Sequence, residues 1–190
     1  MDNNDSGPFL YIQMQMCKYS LRDWLYRNFE DRRMKAWMKR LLEAVAYIHG
    51  KNLFHRDLKP SNILFDGEDV LKICDLGIAA AFETRDDGKE ATISRTDGMG
   101  SPLYMSPEQF ERYSSKVDVF ALGIRLIFAE ISVRMNDTER REVNIYNCEN
   151  KNCKRSQSDE SRAEFIKWLT TVDPDKRPSC RQALDSPFFT

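Results

Sequence analysis

Apolar positions along the chain fall into a few periodic runs separated by polar stretches. Over residues 9–16, Ile12, Met14 and Met16 alternate with Tyr11, Gln13 and Gln15, the period-two pattern of a β-strand. Ser20 followed by Asp23 predicts a capping box that opens a short helix toward Phe29. The clearest amphipathic helix covers 34–49, where Met34, Trp37, Met38, Leu41, Val45 and Ile48 recur at spacings of three and four; Gly50 marks its stop. Two short strands, 63–65 and 70–74, flank a turn through Asp66-Gly67. Residues 82–100 are charged and punctuated by glycine, which predicts a mobile loop. Residues 115–131 are apolar on nearly every face, which predicts a helix buried at the domain centre. Residues 134–161 carry few apolar anchors and predict a long, poorly ordered insert. A helix over 161–172 turns Phe165, Trp168 and Leu169 inward and ends at Asp173-Pro174; a last helix runs from about 179 to 184.

Composition narrows the class. Of 190 residues 41% are hydrophobic, enough for one core, so a wholly disordered chain is excluded. Lys and Arg total 29 against 30 Asp and Glu, a balance without the footprint of a general nucleic-acid binder or a polybasic membrane anchor. Residues 1–8 are polar and acidic, the reverse of a secretory signal, and predict a disordered start. The longest apolar stretch contains Asp118, Arg125 and Glu130 and is too short to span a bilayer. Five scattered cysteines (Cys17, Cys74, Cys148, Cys153, Cys180) lack the spacing of a disulfide framework, which argues for reduced thiols and a cytoplasmic location. Cys148 and Cys153 read as ordinary surface thiols.

The chemistry concentrates in His55-Arg56-Asp57-Leu58-Lys59-Pro60-Ser61-Asn62. Asp75-Leu76-Gly77 follows thirteen residues after Asn62, and Ser106-Pro107-Glu108, Asp118-Val119-Phe120-Ala121-Leu122-Gly123 and Arg177 come later in order. Taken singly, Asp57 and Asn62 are also turn-forming residues, Asp75 a strand end, and Glu108 and Arg177 two exposed charges. Together they resemble the catalytic loop, metal-binding triplet, segment end, central helix and late arginine of protein kinases. Leu10 to Gln15, the run 55–63 and Tyr104-Met105-Ser106-Pro107-Glu108-Gln109 are similar to the kinases of translation initiation factor 2 alpha, the stress-sensing pancreatic type above all.

That resemblance implies an α+β domain over 9–190: a mainly helical C-lobe with a short β-hairpin and one hinge strand of the N-lobe, 82–100 being the activation loop. It implies transfer of the γ-phosphate of ATP, with Mg2+, to a protein Ser/Thr hydroxyl, initiation factor 2 alpha being the substrate it points to. Phosphoryl transfer is mostly positioning and charge neutralisation. Asp57 would orient the hydroxyl and accept its proton, and Lys59 would offset phosphate charge. Asn62 and Asp75 would supply oxygens to magnesium, and Gly77 would free the backbone to turn. Met14 matches the gatekeeper, Gln15 and Cys17 the backbone contacts to adenine, and Leu64 the floor beneath it. His55 would be structural and pack against Leu76, His49 would be a helix-end residue, and Asp118 would hold the backbone of the His55–Arg56 turn. Glu108 and Arg177 would form a buried pair. Arg56 marks control by loop phosphorylation, with Thr96 the activating site and Ser101 the substrate-facing hydroxyl.

The departures are equally specific. No glycine-rich loop, V-A-I-K lysine or partner glutamate precedes the catalytic loop, Leu76 replaces the usual Phe, and 134–161 is polar where the subfamily leads to its substrate-docking helix. Losing the roof over adenine, on the order of 100 Å² of apolar contact, forfeits ~2.5 kcal/mol. These 190 residues alone are therefore expected to transfer little or no phosphate. The alternative is a catalytically dead C-lobe, a scaffold or decoy for a related kinase. The strand at 9–16, unpaired, would be an association hazard unless a partner covers it.

Overall fold

The structure, a computed structural model, describes residues 11–27, 33–82, 93–94, 101–110, 112–124 and 157–189. Within them the architecture is α+β and mainly helical. Helix α1 (Leu21–Arg27) is opened by the predicted capping box: the Ser20 amide donates to Asp23 Oδ2 at 2.9 Å, and the Asp23 amide donates to Ser20 Oγ at 3.2 Å. Helix α2 (Met34–His49) buries Trp37, Met38, Leu41, Leu42 and Val45 along one stripe. That stripe packs on helix α5 (Cys180–Leu184), capped by a reciprocal pair between Ser179 and Gln182. A third helix, α3, covers 116–124 and is buried almost throughout, from Val117 to Ile124. Helix α4 (Gln157–Leu169) closes the core with Phe165, Ile166 and Leu169. At Gly123 a Cβ would come within 2.6 Å of Thr170 Cγ2 and 2.8 Å of Leu169 Cβ, so α3 meets the end of α4 at a distance only glycine allows.

Among the described residues are seven strands, all short: β1 (Tyr19–Ser20), β2 (Leu53–Phe54), β3 (Ile63–Phe65), β4 (Leu71–Ile73), β5 (Ala80–Ala81), β6 (Ile93–Ser94) and β7 (Arg112–Tyr113). The β3–β4 hairpin pairs Ile63 with Ile73 and Phe65 with Leu71; β1 adds to its other edge. Strand β3 buries Ile63 and Phe65 and leaves Leu64 half-buried on the opposite face. Pairing of β2 with β5 brings the chain before His55 against the chain after Asp75, over a small cluster of Phe54, Phe82 and Val117.

The hairpin turn is held by Asp66, whose Oδ1 accepts the amides of Val70 at 2.9 Å and Glu68 at 3.0 Å. These N–H groups, Val70 first, hold its carboxyl below the usual 3.8. A carboxyl depressed in the folded chain stabilises it fully above the unfolded value and ceases to do so as pH falls from 3.8 through the folded value. Asp66→Asn is expected to lose this part of the acid sensitivity, seen as a smaller drop in urea midpoint between about pH 5 and pH 3 than the parent chain shows.

Three expectations need correcting, while the stop of α2 at Gly50 stands. Residues 11–17 form no strand: Tyr11 is 88% and Met16 90% exposed, and the sheet ladder begins only where the Lys18 amide donates to Phe65 O at 2.7 Å. Alternation marks two faces but supplies no partner, and the partners of a strand are what make it one. Gly50 ends α2 with φ −66°, while the left-handed residue is Asn52, φ 56°. Helix α4 starts at Gln157, inside the expected insert, and ends at Leu169. Trp168 is 37% exposed and meets Phe165 edge-on at 6.4 Å from the outer side. Thr96, Cys148, Cys153 and residues 1–10, 125–131 and 134–156 lie outside the described residues.

Candidate active site

The loop from His55 to Asn62 is fixed from beneath by α3. Asp118, at the start of that helix and wholly buried, accepts the His55 amide on Oδ2 at 2.8 Å and the Arg56 amide on Oδ1 at 2.9 Å. A third bond joins Oδ2 to His49 Nε2 at 2.9 Å. A buried carboxylate is tolerable only when so satisfied. Arg56 needs this support, because its φ of 70° lies in the left-handed region that side chains disfavour. Its carbonyl also accepts from Gln109 Nε2 at 3.3 Å, and its Nε donates to the Ile78 carbonyl.

His55 is fully buried. Its Nδ1 accepts the Asp57 amide at 3.3 Å, so Nε2 carries the proton and donates to Cys74 O at 2.9 Å. Both nitrogens are engaged with backbone, which leaves no base. Leu76, the residue expected to pack on it, is 53% exposed. The imidazole is held by these polar bonds to backbone.

Asp57 and its neighbours form one network. Lys59 Nζ lies 2.5 Å from Asp57 Oδ2 and donates to Ser101 Oγ at 3.0 Å. Asn62, in the turn Pro60–Asn62, donates its Nδ2 to Asp57 O at 3.0 Å and to Asp57 Oδ2 at 3.3 Å. Asp57 Oδ1 is buried with no hydrogen-bond partner. A buried carboxylate oxygen left unpaired costs free energy.

Asp75 joins this end of the hairpin through its neighbour. The Cys74 amide donates to Asn62 O at 2.9 Å, continuing the ladder one step beyond β4. Asp75 is exposed and left-handed, φ 66°. The sharp turn expected at Gly77 therefore falls at Asp75; Gly77 matters for space, since a Cβ there would lie 3.2 Å from Asp75 Oδ1. Burial pushes the Cys74 thiol up, with Asp75 and Cys17 adding to the effect. Leu64 lies on the open face of the sheet, beside Ser20 and Lys72 in register. Met14, 76% exposed, and Gln15, also exposed, stand on the irregular 11–17 segment, with the Cys17 thiol 3.9 Å from Gln15 O.

Arg177 and Glu108 form a forked pair: Nη1 to Oε1 at 2.6 Å and Nη2 to Oε2 at 3.1 Å. The rest of the guanidinium donates to the carbonyls of Thr171, Val172 and Lys116 and lies 4.9 Å from the Phe120 ring. Next to this pair, Ser106 Oγ is buried without a partner. Ser106→Ala is expected to raise stability by about 1 kcal/mol, read from the urea midpoint, because it deletes a hydroxyl whose desolvation nothing offsets.

The donor set fits a hard cation. Asn62 Oδ1, with only Ser61 Oγ at 3.5 Å, and the exposed Asp75 carboxylate offer oxygens at one end of the hairpin. Among the described residues no three His, Cys, Asp or Glu gather as a metal cage. Sequence reasoning left out two supports, His49 on Asp118 and Gln109 on the Arg56 carbonyl. His49 ends α2 and Gln109 follows Glu108, but no local pattern says what a distant helix brings within reach.

The chain matches the protein kinase domain family over residues 2–189. The eukaryotic translation initiation factor 2-alpha kinase pek-1 of Caenorhabditis elegans is 33% identical across 99% of this chain and 19% of its own length. Eukaryotic translation initiation factor 2-alpha kinase 3 of Rattus norvegicus is 43% identical across 62% of this chain and 12% of its own. The human eIF-2-alpha kinase GCN2 is 34% identical across 94% of this chain and 12% of its own. The chain thus spans a fifth or less of the length of these relatives.

Proposed function

Because the chain belongs to the protein kinase family, we propose that it carries the phosphotransfer half of a Ser/Thr kinase of the initiation-factor-2-alpha type, acting in the cytoplasm on a protein hydroxyl. The observation that carries this reading is the asymmetry of Asp57: one oxygen held by Lys59 and Asn62, the other buried and unpartnered. Oδ1 is the atom that would accept the proton of the incoming hydroxyl. Lys59, held between Asp57 and Ser101, presents positive charge beside that hydroxyl and links the substrate-facing segment to the loop. Asn62 and Asp75 would hold magnesium, which neutralises charge on the ATP phosphates. Leu64 offers an apolar floor next to them. Asp118 and His55 touch no reactant and act as positioning residues for the loop.

Substrate choice is tested by placing the glycine-rich lobe of a relative ahead of residues 11–189 and supplying Mg-ATP. Phosphate is expected on the alpha subunit of translation initiation factor 2. Transfer to generic Ser/Thr peptides with none to that subunit would overturn the substrate part of the reading. No transfer to any hydroxyl would overturn the kinase part.

A further inference from the structure

The carbonyl of Arg56 and the amide N–H of Asp57 form one peptide group, and side chains hold both of its ends. The N–H donates to His55 Nδ1 at 3.3 Å, and the carbonyl accepts from Gln109 Nε2 at 3.3 Å. A carbonyl has no proton to give, so it is the amide nitrogen of Gln109 that faces it. Arg56 stands at φ 70°, with its own amide held by Asp118. The rotation left to it, about the bond from Cα to the carbonyl carbon, would swing this peptide group and carry Asp57 with it.

Gln109 opposes that rotation from a firm base. It is 7% exposed, and its backbone amide donates to Ser106 O at 3.0 Å. It lies in the turn Pro107–Phe110, one residue after Glu108, whose carboxylate is clamped by buried Arg177. The side chain therefore joins this turn to a loop 53 residues earlier in the chain. Lys59 links the same two regions through Asp57 Oδ2 and Ser101 Oγ. That link acts on the carboxylate, whereas Gln109 acts on the backbone that carries it.

We propose that Gln109 is a positioning residue for Asp57: its side-chain amide locks the Arg56–Asp57 peptide group, so the carboxylate is aimed only while the turn Pro107–Phe110 is seated. Gln109 touches no reactant. Its bond is neutral and long for an N–H···O contact, so losing it affects local orientation more than global stability. The consequence for transfer rests on the function proposed above; the lock itself does not. Gln109→Met keeps the length and bulk of the side chain and removes the donor.

Amide hydrogen exchange in the 190-residue chain tests the lock whether or not the chain transfers phosphate. In Gln109→Met the Asp57 amide is expected to exchange about tenfold faster, while amides inside α2, such as that of Val45, keep their parent rates. An unchanged Asp57 amide overturns the lock. So does equal acceleration at Val45, because the loss is then global. In the chimera that places a relative's glycine-rich lobe ahead of residues 11–189, Gln109→Met is expected to lower kcat roughly tenfold to a hundredfold with the KM for Mg-ATP unmoved. A parent chimera that transfers phosphate, with kcat unchanged in the variant or only KM raised, overturns the positioning role. A parent chimera that transfers none overturns the function proposed above, and the exchange rates then decide the lock alone.

Discussion

Arg177→Ala should destabilise the domain by about 3–5 kcal/mol. The guanidinium is wholly buried, and its removal leaves four acceptors facing an apolar gap: the Glu108 carboxylate and the carbonyls of Thr171, Val172 and Lys116. Glu108 cannot return to bulk water without displacing the turn Pro107–Phe110 that carries it. Arg177→Lys should recover only part of the loss, because a single ammonium cannot reproduce the two-pronged contact with the carboxylate. Equilibrium urea unfolding reads both. A loss under about 1 kcal/mol for the alanine variant would mean that the pair behaves as an exposed one.

Asp57→Asn should leave stability nearly unchanged and reduce phosphate transfer by roughly 10²–10⁴-fold. The amide keeps the shape, and its oxygen can still meet Lys59 Nζ and Asn62 Nδ2. What it cannot do is take a proton. The comparison is made in the chimera bearing a glycine-rich lobe, with single-turnover rates at saturating Mg-ATP. A variant that transfers at the parent rate would remove Asp57 from the chemistry and leave it a loop-building residue. Such a loss, joined to an unmoved urea midpoint, separates a chemical role from a structural one, as Arg177 does in the opposite sense.

What could be read from the chain follows the range of the forces involved. Helix α2 was plain because its apolar residues and its neighbours lie within a few turns of one another, and the cap of α1 because Ser20 and Asp23 satisfy each other locally. The catalytic loop was legible as a motif, and the structure joins Asp57, Lys59, Asn62 and Ser101 by direct bonds. The strand expected over 9–16 is absent from its described part, 11–16, because a period of two says nothing about pairing. The left-handed turn fell on Asp75 and not Gly77 because the hydrogen bonds of Cys74 with Asn62 and His55 dictate the path there, overriding glycine's own tolerance. His49 on Asp118 spans 69 residues, and no short-range pattern encodes a meeting of that kind.

Arg56, next to Asp57, and Asp75 itself stand in a left-handed conformation worth about 1–3 kcal/mol each in strain. Their shape is imposed by bonds from elsewhere: Asp118 under one, the Cys74 contacts beside the other. Warming that loosens those supports lets the loop relax to an ordinary path while the helices remain packed. In the chimera bearing a glycine-rich lobe, phosphate transfer is then expected to fall ahead of melting and to return on cooling without refolding.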